Sequence, residues 1–146
     1  MEKKQIELGD ETELAVSLLF KENGFWCHIL SKKLGGQPVD IVAGKGIPNS
    51  TNCKLWLVDA KHLEEDKKSF PFSRIEPNQK TTLFYAKNYC NIQTLGFVIC
   101  VGDDLTKFYF LSYEKYKTLE EEGKKSVKIK DLQDFQEVLN NESCNR

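Results

Sequence analysis

The sequence predicts an α/β fold, a mixed β-sheet with helices packed on it. Three observations carry this expectation. Two apolar runs, Leu55-Trp56-Leu57-Val58 and Thr94-Leu95-Gly96-Phe97-Val98-Ile99-Cys100-Val101, have the length and continuity of strands covered on both faces. Apolar residues at helical spacing appear before, between and after them: Ala15/Leu18/Leu19, then Leu83/Phe84 with Ala86 and Tyr89, then Tyr113/Tyr116/Leu119, then Leu132/Phe135/Val138/Leu139. Clusters of turn formers separate these segments, and no internal repeat or linker divides the chain. One domain spanning residues 1–146 is expected, and 146 residues suffice for a sizeable core.

In chain order, residues 11–23 read as a helix. Asp10 is placed to cap it with Glu13 as capping-box partner, and Gly24 ends it. Residues 25–30 form a first strand. The loop 31–38 follows, with Lys32-Lys33 and Gly35-Gly36. Residues 37–43 and 55–61 read as two strands joined by the turn-rich stretch 44–53, which makes an antiparallel hairpin. A polar loop over 62–69 leads to Phe70-Pro71-Phe72. Glu76-Pro77 opens the next helix, since proline is tolerated in a first turn. The strand at 94–101 turns at Gly102-Asp103-Asp104 into a partner at 106–111. Ser112 begins a helix that stops near Gly123. Residues 126–130 alternate like a short edge strand whose lysines discourage strand addition. Asp131 is placed to cap a final helix.

Composition is that of an ordinary globular protein: 40% hydrophobic, 29% charged, with a net charge of −1. That balance argues against a protein that coats nucleic acid through a uniformly positive surface. No apolar run approaches the roughly 20 residues of a membrane span, and Met1-Glu2-Lys3-Lys4-Gln5 leads into no signal-peptide core. The five cysteines include no Cys-x-x-Cys pair, so a zinc site is not expected and a reduced, cytoplasmic chain is.

The chemistry concentrates where the first buried strand ends, at Val58-Asp59-Ala60-Lys61. Side chains two apart on a strand share a face, so Asp59 and Lys61 point the same way. The hairpin brings Asp40 toward Asp59. Two close carboxylates repel unless one is protonated or a divalent cation lies between them, and hard oxygen donors suit Mg²⁺ (or Mn²⁺). Lys61 beside such an ion can activate water or stabilise charge on a phosphate. The plainer reading is a structural Asp59–Lys61 ion pair at a strand end; the hairpin and the second acid favour the site. Glu13 is either a capping residue or a third acid at the ion. Gln79 is either a solvated first-turn residue or a group that holds a water or an acid. Lys32 and Lys33 suit a phosphate backbone as well as a plain turn.

Asp40 followed by Asp59-Ala60-Lys61 resembles the PD-(D/E)xK nuclease signature, and Gly9 with Glu13 resembles that superfamily's helical acid. The run from Val58 to Lys61, with Phe70-Pro71-Phe72-Ser73-Arg74-Ile75-Glu76-Pro77-Asn78-Gln79, is similar to the segment around the catalytic lysine of RecU-type Holliday junction resolvases. Likeness continues through residues 108–111 and 124–127. The resemblance implies a restriction-endonuclease-like sheet and a Mg²⁺-dependent endonuclease for branched or double-stranded DNA, commonly a homodimer. It implies Asp40, Asp59 and Glu13 as metal ligands, Lys61 as catalytic lysine, Gln79 as the family's helical glutamine, and Lys32, Lys33 and Arg74 on DNA. Family members carry a projecting stalk before the first metal-binding acid; here only residues 31–38 stand in that place. A nuclease for linear duplex, or a silent nuclease fold used for binding, are the other readings.

Overall fold

The computed structural model describes residues 2–30, 39–92 and 94–144, with the side chains of 2–8 and 142–144 excepted. The loop 31–38, and with it Lys32 and Lys33, lies outside the described residues.

A sheet of six strands forms the centre among the described residues. These are β1 (Trp26–Ile29), β2 (Ile41–Gly46), β3 (Cys53–Leu63), β5 (Thr94–Val101), β6 (Lys107–Ser112) and β8 (Gln133–Asp134), in the order β1-β2-β3-β5-β6-β8. All neighbours are antiparallel except β3 and β5, which run parallel. A parallel pair needs a crossover. It is supplied by β4 (Ser69–Pro71), a 3₁₀ turn at Phe72–Arg74 and helix α2 (Pro77–Tyr89). The short strand β7 (Ser126–Lys128) pairs with β4 in a separate two-stranded ribbon. The expected mixed sheet with flanking helices is therefore present, and β3 sits inside it as the apolar run required.

Each face of the sheet carries its own core. On one side, helix α1 (Glu2–Glu22) lays Val16 and Phe20 on Trp56, Val58 and Val98, and helix α4 (Phe135–Cys144) adds Phe135 and Leu139. Trp56 is fully buried at the centre of this side, with Phe20, Phe25, Phe110 and Phe135 rings 5.5, 5.9, 5.6 and 6.0 Å away. Such ring pairs add about 0.5–1.5 kcal/mol each beyond area burial. On the other side, Leu83 and Ala86 of α2 and Tyr113 and Tyr116 of helix α3 (Tyr113–Glu121) cover Leu95, Phe97 and Ile99.

Four local expectations change. Helix α1 begins at Glu2, so Asp10 lies inside it rather than at its start. Residues 2–8 are mostly strong helix formers, and they outweigh the roughly 1 kcal/mol penalty of Gly9. The helix stops where expected: Gly24 adopts φ 86°, and Phe25 N–H donates to the Phe20 carbonyl at 3.1 Å, the closure that a left-handed residue permits. The final helix is capped by Asp134, whose Oδ1 accepts Glu137 N–H at 3.1 Å; Asp131 belongs to a 3₁₀ turn instead. On α2, Phe84 and Tyr89 face solvent rather than the core. Ser112 does cap α3, accepting Lys115 N–H at 3.1 Å.

Candidate active site

The β2–β3 ladder ends at the pair Ile41↔Val58. Beyond it the side chain of Asp40 takes over the ladder's role, its Oδ2 accepting the backbone N–H of Ala60 at 3.0 Å. Asp40 is thereby fixed beside the residues on either side of Ala60, which are Asp59 and Lys61. The register thus does what the hairpin reading required: it brings Asp40 to Asp59.

Asp59 is 1% exposed and lies opposite Phe97 of β5. Lys61 Nζ is 2.9 Å from its Oδ2, an ion pair by distance. Neither carboxylate oxygen of Asp59 completes a hydrogen bond, so the Lys61 contact is one of charge. A buried carboxylate in that condition resists ionising. Burial first, then contact with Asp40 and its charge, push the Asp59 carboxyl up to about 8; the Lys61 charge opposes the shift.

Gln79 links this cluster to α2. Its Oε1 accepts Glu76 N–H at 3.0 Å and Lys61 Nζ at 3.3 Å. One amide oxygen therefore closes the first turn of the helix and steadies the lysine. The side chain is buried, not solvated. The spacing Glu76-Pro77-Asn78-Gln79, with proline at the first helical position, is the legible signal for this cap, although Glu76 escapes a reading that looks only for acids near the strand.

Arg74 approaches from the 3₁₀ turn. Its Nη1 donates to the carbonyl of His62, and its guanidinium lies 5.6 Å from the Phe70 ring centre. Partial burial lowers its pKa, while the charges of Asp59 and Glu64 raise it. Arg74 thus stands within the electrostatic reach of the acids.

Glu13 is placed differently. It is 5% exposed, in the same helical stripe as Val16 and Phe20. That stripe packs on the Trp56/Val58 face of β3, whereas Asp59 and Lys61 alternate onto the other face. Among the described residues no three acidic, histidine or cysteine side chains are gathered as a ready metal cluster. The structure brings together Asp40, Asp59, Lys61 and Gln79, with Arg74 beside them.

The donors fit a divalent cation of the Mg²⁺ class. Two carboxyl groups adjoin, and one of them is buried with Lys61 beside it and no geometric hydrogen bond to either oxygen. Mg²⁺ is commonly held by one or two carboxylates, with waters and substrate phosphate completing an octahedron. Here Asp40 and Asp59 would hold it.

No protein-family model and no curated protein matches the sequence. Among solved structures, the chain is similar to Archaeoglobus fulgidus Hjc, a Holliday junction resolvase from an archaeal hyperthermophile. The TM-score is 0.62 at 15% identity, over 90% of this chain and 99% of that one. The six-stranded mixed sheet with its flanking helices is the restriction-endonuclease-like fold of Hjc, which is the fold class the sequence predicts.

Proposed function

We propose that this protein is a metal-dependent, structure-specific DNA endonuclease, a Holliday junction resolvase that works as a homodimer. The observation that carries the reading is the Asp40–Asp59–Lys61–Gln79 constellation at the end of β3, on a fold shared with a junction resolvase. Fold alone does not give function; the site does.

A divalent cation held by Asp40 and Asp59 would supply Lewis-acid polarisation of a phosphodiester and would lower the pKa of water, so that hydroxide is available at neutral pH. This chain's own groups do the rest. Asp40 and Asp59 would hold that ion. Lys61, held by Gln79 and Asp59, presents a fixed positive charge where phosphoryl oxygens gain negative charge in the transition state. Arg74, Lys32 and Lys33 are assigned to DNA phosphates, which position the substrate without reading its sequence. Two sites related by a two-fold axis cut two strands symmetrically, and two-fold dimers are the commonest oligomers.

A cleavage assay tests this. Purified protein is given a synthetic four-way junction and a duplex of matching sequence, with Mg²⁺, with Mn²⁺ or with EDTA, beside Asp59→Asn. Paired nicks in the junction that need the cation and vanish in the variant are expected. Equal cutting of junction and duplex would replace the reading with a general duplex nuclease. Junction binding without cleavage would make the fold a binding module.

A further inference from the structure

The edge of β3 that faces β2 stays occupied after the ladder ends at Ile41↔Val58. Its next donor, Ala60 N–H, is taken by Asp40 Oδ2 at 3.0 Å. Backbone groups of an interior strand alternate between its two neighbours. The Leu63 carbonyl accepts Gly102 N–H at 2.9 Å on the β5 side, so the His62 carbonyl points to the β2 side. Arg74 Nη1 donates to that carbonyl. Asp40 and Arg74 therefore hold successive positions on one strand edge. Their anchor points, Ala60 and His62, are two residues apart, about 7 Å along the strand. Lys61 lies between them in sequence, and Asp59 just before.

Arg74 is held still. It ends a 3₁₀ turn that Ile75 N–H closes on the Phe72 carbonyl at 3.0 Å. Its guanidinium lies 5.6 Å from the centre of the Phe70 ring, which is fully buried and paired with Val127 of β7. A guanidinium has five N–H donors in a rigid fork. One of them meets His62, and among the described residues no other group accepts from it. The residue is exposed. Lys61 is the opposite case: its side chain is 12% exposed, and its ammonium is 2.9 Å from Asp59 and 3.3 Å from Gln79. The cation of this cluster with donors to offer is Arg74. A brace that only tied the turn to β3 would need a single donor. A planar fork beside two carboxyl groups suits a phosphate, which it grips through two parallel N–H···O bonds.

We infer that Arg74 is a catalytic residue: two of its N–H groups hold a non-bridging oxygen pair of the phosphodiester that is cut, and hold it more tightly as negative charge builds there. Arg74 donates hydrogen bonds and exchanges no proton. The inference rests on the nuclease reading above and narrows the part of Arg74 in it from DNA phosphates at large to the scissile one.

The test begins with wild type, which maps the nicks on a four-way junction. One junction is then made with an uncharged methylphosphonate at the mapped linkage, and another with it a few linkages away. Binding is measured in EDTA for wild type and Arg74→Ala. Neutralising the mapped linkage should weaken wild type by about 10-fold and Arg74→Ala by less than about 2-fold, because the partner charge is already gone. The remote methylphosphonate should weaken both proteins equally. With Mg²⁺ and saturating junction, Arg74→Ala should lose at least about 10²-fold in kcat, and added guanidinium should restore part of it where ammonium does not. A mere brace would lower the Tm and leave that coupling absent. Arg74→Lys, which keeps the charge and the bond to His62 but not the fork, covers the case in which alanine does not fold. It should cut at least about 10-fold more slowly than wild type. Equal weakening of wild type and Arg74→Ala by the mapped methylphosphonate, or wild-type kcat in folded Arg74→Lys, overturns the assignment and leaves the nuclease reading intact. Wild type that cuts neither junction nor duplex overturns both.

Discussion

Removing the Asp59 charge should make the metal-free protein more stable, and increasingly so as pH rises. The folded structure raises this carboxyl from 3.8 to about 8. Between those values the folded state keeps a proton that the unfolded state releases. Wild-type stability contributed by this group therefore falls by about 1.4 kcal/mol per pH unit over the window and levels off above pH ~8. The carboxamide of the Asp59→Asn variant does not titrate. Between about pH 5 and about pH 8 the advantage of that variant over wild type should widen by up to about 4 kcal/mol. At several degrees per kcal/mol for a domain of this size, that is a difference in Tm of roughly 10–15 °C. The assay is thermal or urea unfolding of both proteins in EDTA across that range. Titrating groups that do not touch Asp59 cancel in the difference. A gap that stays constant, or narrows toward high pH, would refute the claim that Asp59 is held protonated by burial and by Asp40. Added Mg²⁺ should raise wild-type Tm at pH 8 and leave the variant unmoved.

Three further substitutions probe separate links. Lys61→Met keeps the aliphatic stem and removes the charge, so junction cleavage should drop by at least about 10²-fold in kcat while junction binding persists. Gln79→Ala removes both the helix closure and the lysine contact, which should lower stability by about 1 kcal/mol in urea unfolding and slow cleavage beyond what that loss explains. Gly96→Ala places a Cβ 2.3 Å from the carbonyl oxygen of Leu111 on the paired strand, where only backbone can move. Overpacking of this kind should cost about 3 kcal/mol or more, read as a lowered urea midpoint.

The central architecture is readable because burial speaks in long runs. Cys100 and its neighbours in β5 are apolar on both faces, and in β3 Trp56 and Val58 meet one core while Leu57 meets the other, as only an interior strand does. The Asp40–Asp59 pairing follows from the hairpin, whose register is set by local turn chemistry. What stays hidden is whatever a partner element decides. The direction α2 faces depends on where α3 docks, so Phe84 and Tyr89 look like core in a periodicity reading and are not. The sheet face that α1 occupies depends on contacts with Trp56, far along the chain, so the face on which Glu13 lies is not legible from its own segment. Asp10 misleads for the opposite reason: an acid before an apolar stripe is only a cap if the helix has not already begun.

The parallel pairing of β3 with β5 has a consequence for how the site comes into being. Asp40, Asp59, Lys61, Arg74 and Gln79 all precede β5, so the ribosome delivers every reactive group before it delivers the strand that shuts water away from Asp59. In the nascent chain this acid ionises like any other. When Thr94–Val101 pairs beside it, setting Phe97 opposite Asp59, burial joins the contact with Asp40 in making the carboxyl reluctant to lose its proton. Part of the site's electrostatics thus comes from a strand that contributes no chemistry of its own.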